Sequence, residues 1–383
     1  MTPSPLRTLQ IGKGWFPEDT GGLDRYYYEL LDALPAAEVQ TAGLVTGSCQ
    51  VAAESAGRVR AFAPTRAPLA TRWRGVRRSA RASLRDSQVD VVAAHFALYA
   101  APCLDLLRAA PLVVHFQGPW AAESRVEGAG TIAVEIKARI ERAVYQRAQR
   151  CITLSQAFAT LLAERYGVAP DRIVTVPGGI NAARWASGLS RRDARDVLGW
   201  PQDRPIVLAV RRLARRMGLD QLVAAIPLLC RAVPDVLVHL AGRGSLAADL
   251  ERRRHDSGLE RHLRLVGYLP DELLPIAYRA ADLTVVPSVA LEGFGLVVAE
   301  SLASGTPALV SDVGGLPEVV GGIAPQCVVP DASAASWALA LADALLGRLQ
   351  IPPPAALAAH VRATFDWSVV APRITAIYRE AAA

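Results

Sequence analysis

Lysine, cysteine pairs and long apolar runs are scarce in this sequence of 383 residues. The lysines are Lys13 and Lys137, so the net charge of +6 comes almost wholly from arginine. No apolar run approaches the roughly 18 residues that a membrane-spanning helix needs, and the first residues lack a charged-then-apolar signal. We therefore expect a cytoplasmic protein, soluble or peripheral to a membrane. A net positive charge suits anionic partners, but net charge alone does not identify which ones.

The sequence argues against a metal site and against a nucleic-acid-binding site. The five cysteines lie far apart, form no C-x-x-C pair and are odd in number, which argues against a disulfide framework or a zinc cluster. No D-x-D pair and no His, Cys and carboxylate group with metal-ligand spacing occurs, so we expect no metal and no other cofactor. Aromatic residues make up 6% and do not alternate with basic ones, so we expect no nucleic-acid partner.

What is present is an alternation of short apolar runs with helix-length segments, repeated in two halves. The length and the 51% apolar content predict two globular domains. Runs such as VDVVAAHF, LVVHFQG and, after a polar stretch, PIVLAVRRL and VLVHLAGRG are typical of parallel strands buried on both faces. We predict doubly wound Rossmann-like domains at 1–185 and 186–365, with a boundary region near 181–203. A terminal helix at about 366–383 ends the second domain or returns to the first.

The sharpest motif is the segment EGFGLVVAE, residues 292–300, between a predicted strand and a predicted helix. Two glycines at such a turn let backbone amides approach phosphate, which the start of a helix attracts. Glu292 and Glu300 can accept hydrogen bonds from sugar or ribose hydroxyls. Two solvated glutamates beside a tight turn are the plainer alternative.

Four further features accompany this segment: the runs SLASGTPALVSDVGGLPEVV and VPGGIN, the Gly21-Gly22 pair and a closing F-x-W. Together with it they make the chain resemble the retaining GT-B glycosyltransferases of family 4, or group 1. The resemblance implies two Rossmann-like domains facing a cleft, with the acceptor on the first domain, the donor on the second, and the last helix returned to the first. It implies transfer of a hexose from a nucleotide-sugar, UDP- or GDP-linked, to a hydroxyl acceptor in bacterial glycoconjugate, polysaccharide or natural-product synthesis. It also implies that Glu300 holds the donor ribose, that Glu292 contacts the transferred sugar, and that the amides of Phe294, Gly295 and Leu296 meet the diphosphate or sugar.

A second motif, RRLARRMG at 211–218, ends the first strand of the second domain. A diphosphate that leaves without a metal needs fixed cations, and arginine binds phosphate in a bidentate manner. The family normally has Gly-Arg-Leu followed by Lys-Gly. Arg212 matches its arginine, but Met217 stands in place of the lysine, so we propose that Arg215 or Arg216 supplies that charge. A basic turn in solvent is the alternative.

Single residues complete the predicted site. We expect His115, at the end of LVVHF, to face the cleft and contact the donor sugar, with His95 a weaker candidate and a satisfied core histidine the alternative. Gly21 and Gly22 at a helix start can bring amides to the donor or acceptor. Gly242 and Gly244 line the cleft, yet with Ala247 they also match a dinucleotide fingerprint, whose acidic residue is missing from the end of the next strand.

Three alternatives remain open. A helix at about 69–85 combines an apolar stripe with six arginines, which suits either anionic lipid or packing on its own sheet. A sugar-nucleotide epimerase or a phosphorylase would share the architecture. Met217 favours a catalytically inactive nucleotide-sugar-binding protein.

Overall fold

A computed structural model describes residues 5–16, 18–86 and 88–383. It divides the chain into two compact units, the first reaching to Ile180 and including Trp367–Ala383, the second comprising Asn181–Asp366. The sequence places these borders at 185 and 365. Within the described ranges, no helix is long and apolar enough to cross a membrane.

The first unit is built on a parallel sheet with the strand order β3-β2-β1-β4-β5-β6-β7. Its strands are β1 Leu6–Ile11, β2 Val39–Thr46, β3 Val59–Ala63, β4 Val91–Ala94, β5 Leu112–Phe116, β6 Arg150–Thr153 and β7 Ile173–Thr175. Its connecting helices are α1 Gly22–Ala33, α2 Val51–Glu54, α3 Leu69–Asp86, α4 Ala97–Ala100, α5 Trp120–Val126, α6 Thr131–Arg147 and α7 Gln156–Tyr166. β4 and β5 are buried along their whole length, because helices cover both faces of a parallel sheet.

The second unit repeats this plan with the strand order β10-β9-β8-β11-β12-β13. Its strands are β8 Ile206–Val210, β9 Leu237–Ala241, β10 Leu263–Gly267, β11 Leu283–Val286, β12 Ala308–Ser311 and β13 Val328–Val329. Its helices are α8 Arg191–Leu198, α9 Leu219–Ala232, α10 Ala247–Asp256, α11 Leu274–Ala280, α12 Leu296–Ala303, α13 Leu316–Gly321, α14 Ala334–Leu345 and α15 Pro354–Thr364. The prediction of two Rossmann-like α/β domains is confirmed.

Short 3₁₀ turns join several of these elements. They cover Leu34–Ala37, Ala101–Cys103, Leu106–Ala109, Pro170–Arg172, Ala182–Trp185, Arg215–Met217 and Pro325–Cys327. The turn at Arg215–Met217 matters most for function, because it carries part of the arginine motif from β8 into α9.

The last helix, α16 at Trp367–Ala382, packs within the first unit. The Trp367 ring lies against Gly179, where an added Cβ would stand 2.4 Å from a ring carbon. The indole N–H of Trp367 donates to Glu29 at 2.9 Å. Glycine at 179 therefore leaves the space that the tryptophan at the start of α16 fills.

In each sheet the strand order reverses once, between β1 and β4 in the first unit and between β8 and β11 in the second. Loops leave the carboxyl ends of these strand pairs in opposite directions, so a crevice opens there, where open α/β sheets bind ligands. These four strands are followed by the segment at 211–218, the segment at 292–300, the Gly21-Gly22 pair and His95. The topology thus places them at the two expected ligand positions.

Candidate active site

Two loops meet at the switch point of the second unit, one after β8 and one after β11. The two strands are parallel neighbours, so their carboxyl ends lie at the same edge of the sheet. Arg211 follows β8 directly, and Ser288 and Glu292 lie in the loop after β11. We call Arg211, Met217, Ser288 and Glu292 the Arg211 cluster.

The guanidinium group of Arg211 is the centre of this cluster. Its Nη2 donates to Ser288 Oγ at 2.6 Å, contacts Met217 Sδ at 2.8 Å and forms an ion pair with the Glu292 carboxylate. Ser288 Oγ also donates to that carboxylate, at 3.0 Å. Arg211 is only 8% exposed, and its Nε is buried without a hydrogen-bond partner in the described part of the chain. The cluster therefore holds its carboxylate firmly while retaining one buried donor that has no acceptor.

These contacts decide the charge of Glu292. Burial alone would raise the pKa of this carboxyl group, but the charge and hydrogen bond of Arg211, with Arg216 and Ser288, lower the pKa of Glu292 below 4.5. The group is therefore ionised at neutral pH. An ionised carboxylate accepts hydrogen bonds from hydroxyl groups, as the sugar contact predicted for Glu292 requires.

The other arginines of the motif separate into two kinds. Arg212 and Arg215 are exposed. Arg216 is buried, and its Nη1 donates to the carbonyl oxygen of Leu291 at 3.1 Å. The sequence leaves open which of Arg215 and Arg216 replaces the expected lysine, and the structure places Arg216 beside the Glu292 loop and Arg215 in solvent.

Gly242 and Gly244, predicted to bind the donor, have a packing role in this structure. A Cβ on Gly242 would stand 1.9 Å from the Arg211 carbonyl oxygen, and one on Gly244 would stand 2.2 Å from that of Leu213. The two glycines let the loop after β9 lie directly against the loop after β8. This close approach explains the G-x-G pattern without a dinucleotide, while donor contact by their backbone stays a prediction.

The turn before α12 is shaped by packing as well. Gly295 has φ +91°, and an added Cβ would stand 2.5 Å from Leu316 Cδ2. Phe294 is buried against Phe365, with ring centroids 5.2 Å apart. Phe294 can therefore meet a ligand through its backbone and not its ring. Among the first N–H groups of α12, that of Val298 donates to the Gly295 carbonyl oxygen at 2.8 Å, so an anion at this helix start would meet the amides of Leu296 and Val297.

Glu300, predicted to hold the donor ribose, lies inside the second unit. Its side chain is 4% exposed, and Tyr278 donates its hydroxyl hydrogen to Glu300 Oε2 at 2.9 Å. The tyrosine fixes one carboxylate oxygen. A ribose contact by Glu300 stays a prediction.

In the first unit, His115 lies deeper than an open cleft residue would. It is 2% exposed, its Nε2 lies 2.6 Å from the hydroxyl of Tyr378 on α16, and its Nδ1 lies 3.4 Å from the hydroxyl of Tyr26. The His95 ring stacks on it at 4.2 Å and pairs with Gln10. Both ring nitrogens of His115 thus lie beside tyrosine hydroxyl groups of the first unit. Its catalytic role stays a prediction that would need one of them to move.

This burial predicts a stability that depends on pH. Burial lowers the pKa of His115 to about 3, against an ordinary value of 6.5. As the pH falls below 6.5 the unfolded chain binds a proton that the folded His115 does not, so the free energy of unfolding falls by about 1.4 kcal/mol per pH unit. We expect His115→Gln to make this slope shallower by about that amount in urea unfolding between about pH 6.5 and pH 4.5.

The control is the same pair of proteins at about pH 8, above both pKa values of His115, where His115→Gln should leave the slope unchanged. A slope between about pH 6.5 and pH 4.5 that His115→Gln does not change would contradict the burial of a neutral imidazole at this position.

Gly21 and Gly22 begin α1 at the switch point of the first unit. Gly21 is its N-cap, and a Cβ on Gly22 would meet nothing within 4 Å, so space for a ligand exists beside this amide. Lys13 Nζ binds Asp19 at 2.6 Å and Asp24 at 2.7 Å. These ion pairs hold the loop between β1 and α1, and the predicted contact with donor or acceptor stays open to test.

The apolar stripe on α3 packs on its own sheet. Val76 and Ala80 are fully buried in a core with Leu9 and Ile11, and Trp73 packs against the same core. The arginines of α3 include Arg77, which pairs with Asp105, and Arg72, which donates to the Tyr99 hydroxyl at 2.7 Å. Most of the stripe therefore packs on its own sheet, and contact of α3 with an anionic membrane stays a prediction.

Among residues 5–16, 18–86 and 88–383, no group of three His, Cys, Asp or Glu side chains is placed to hold a metal ion. Metal independence stays a prediction, to be decided by experiment.

The sequence predicts Arg212 as the cation for the diphosphate, and this stays a prediction; Arg211, Ser288 and Tyr278 are not among the predicted residues. Arg211 was detectable in principle, because it is the first residue after a buried strand. Ser288 and Tyr278 carry no motif of their own, and only the fold brings them to Glu292 and Glu300.

Fold and site together define a two-domain α/β protein of GT-B type with a candidate anion site at the switch point of the second domain. Residues 190–358 match the family "Glycosyl transferases group 1" and residues 20–184 match "Glycosyltransferase Family 4". The chain belongs to this glycosyltransferase family.

Individual relatives agree with this assignment. A glycogen synthase of Mycobacterium tuberculosis is 32% identical over 77% of this chain and 69% of its own length. A D-inositol 3-phosphate glycosyltransferase of Nocardia farcinica is 34% identical over 63% of this chain and 54% of its own length, so the chain spans little more than half of that relative. The structure of Anabaena Alr3699/HepE with UDP and glucose is similar in fold, with a TM-score of 0.79, 18% identity, and coverage of 98% and 100% of the two chains.

Proposed function

We propose that this protein transfers a sugar from a nucleotide-sugar donor to a hydroxyl acceptor. The observation that carries the proposal is the Arg211 cluster at the switch point of the second unit. It combines a buried cation with an ionised carboxylate, and α12 begins four residues after Glu292; these are the groups needed to bind a diphosphate and a sugar together.

In the proposed reaction the acceptor oxygen forms a bond to the anomeric carbon as the bond from that carbon to the diphosphate oxygen breaks. The acceptor proton ends on the released nucleoside diphosphate or in solvent. Arg211 and Arg216 both lie beside Glu292, and we propose that they bring positive charge to the leaving diphosphate. Fixed cations stabilise developing charge without reorganising. We propose that the reaction retains the anomeric configuration and needs no metal.

The relatives suggest classes of donor and acceptor. One acts on an inositol phosphate, one is a glycogen synthase, and the similar structure binds UDP and glucose. We propose a UDP- or GDP-sugar as donor and a glycan, a lipid-linked sugar or a small glycoside as acceptor. Bacterial glycoconjugate or polysaccharide synthesis in the cytoplasm, or at the inner face of a membrane, would use such a reaction.

A binding panel tests the donor site. We expect the melting temperature of the purified protein to rise with one class among UDP, GDP, ADP and their sugars, with EDTA present throughout. A ligand at 100 times its Kd adds about 2.7 kcal/mol, which corresponds to roughly 5–10 °C for domains of this size. No shift with any member of the panel would contradict the proposed function, and a shift that appears only when Mn²⁺ replaces EDTA would contradict metal independence.

One observation favours a second function. Met217 stands where the family has lysine, which would suit a protein that binds a nucleotide-sugar without turning it over. Binding in the panel, followed by no transfer to any acceptor and no hydrolysis of the donor, would support that alternative. Isomerised donor or a strict need for inorganic phosphate would instead indicate an epimerase or a phosphorylase.

A further inference from the structure

Arg211 is a buried cation whose hydrogen bonds are incomplete. Its side chain is 6% exposed, less than the 15% of its partner Glu292. Nη2 makes the contacts to Ser288, Met217 and Glu292, whereas Nε is buried and has no acceptor in the described structure. A buried donor of a charged group is costly to leave unpaired. The position is therefore suited to a further anionic ligand.

The neighbouring arginines are placed differently. Arg212 and Arg215 are exposed, where water screens a cation and weakens its contacts. Arg216 is buried but already donates to Leu291. Arg211 thus combines burial, proximity to Glu292 and an unused donor.

We propose that Arg211 binds the diphosphate of the donor, and that Glu292 and Ser288 hold its guanidinium group in place before the donor arrives. This inference rests on the proposed function and names the principal cation of that same site. When the donor binds, Arg211 keeps its ion pair with Glu292 through Nη2 and offers its remaining donor to a phosphate oxygen. The carboxylate that contacts the sugar and the cation that contacts the diphosphate are then one coupled unit.

The contact with Met217 gives this proposal a specific test. The Met217 sulfur lies 2.8 Å from Arg211 Nη2, so a side chain of similar length at position 217 ends beside the guanidinium group. A lysine at 217 would bring its charge to the same place. Arg211 therefore accounts for the absence of lysine at 217, and a lysine introduced there should replace Arg211.

The experiment compares the affinities of a nucleoside diphosphate and of the matching monophosphate, using the base that the unaltered protein prefers among UDP, GDP and ADP. We expect Arg211→Lys and Arg211→Gly to weaken diphosphate binding about tenfold or more, with little effect on the monophosphate. The double variant Arg211→Gly with Met217→Lys should recover most of the loss. Should Arg211→Gly not fold, Arg211→Lys with and without Met217→Lys tests the proposal instead.

Arg195 provides a matched control, because it is a buried arginine of the same unit, 5% exposed and ion-paired with Asp282 away from the cluster. Arg195→Lys should lower the melting temperature without changing the ratio of the two affinities. An unchanged ratio in the Arg211 variants, with a loss in Arg212→Ala, would overturn the inference and leave the proposed function standing. An unaltered protein that binds none of the nucleotides would overturn both.

Discussion

Glu292→Gln is expected to lower the rate of sugar transfer about 100-fold. The substitution keeps the size of the side chain but removes the charge that Arg211 and Ser288 hold in place. A neutral amide binds a sugar hydroxyl more weakly than a carboxylate and no longer balances the buried guanidinium group. The measurement is the initial rate of transfer with the donor identified by the binding panel, under conditions where circular dichroism shows the variant to be folded.

This variant should also be less stable, by up to about 3 kcal/mol, because it leaves a buried cation without its counter-ion. The exposed Glu272 provides the control, and Glu272→Gln should keep both rate and stability. A Glu292→Gln enzyme that transfers sugar at the normal rate would refute the assignment of the site to this loop.

Gly218→Ala is expected to destabilise the second unit by about 3 kcal/mol or more. Gly218 has φ +65°, and a Cβ there would stand 1.8 Å from the carbonyl oxygen of Pro287 and 3.1 Å from Val289 Cγ1. The loop after β11 would have to move, and that loop carries Ser288 and Glu292. We therefore expect a loss of transfer activity together with the lower urea midpoint in far-UV circular dichroism.

A control at Gly258 distinguishes the two contributions to this loss of stability, the left-handed backbone conformation and the steric contact. Its φ of +61° is nearly the same, but an added Cβ would meet nothing within 4 Å. Gly258→Ala should therefore cost only the left-handed backbone conformation, about 1 kcal/mol. Equal effects at the two positions would show that the close approach to Pro287 is not what requires glycine at 218.

The architecture could be predicted from the sequence because parallel strands buried on both faces leave continuous apolar runs. Such runs are local, and their alternation with helices restricts the topology to a few arrangements. The same locality identified the loops after β8 and β11 as the places for ligand chemistry. Which side chain of RRLARRMG turns inward depends on neighbours from β9 and β11, and the sequence pattern does not contain them.

His115 shows what an isolated local signal leaves undecided. A histidine that ends an apolar strand has the same local sequence whether it faces a ligand or a buried tyrosine. The partner Tyr378 lies 263 residues later in the chain, and no residue close to His115 in sequence indicates this contact. Gly242 illustrates the same point, because its G-x-G pattern suggests a nucleotide contact while its close neighbour is the Arg211 carbonyl group.

The sequence by itself predicted the family through the resemblance of its motifs. It also predicted the two Rossmann-like domains and the two loops where phosphate and sugar chemistry is expected, because these follow from residue type, period and spacing along the chain. Only the tertiary structure decided that Arg211 and Glu292 form a buried ion pair, that Arg212 and Arg215 stay in solvent, and that His115 is enclosed by Tyr26 and Tyr378. Burial and pairing depend on contacts between residues far apart in sequence, and those contacts exist only once the sheets and helices have packed.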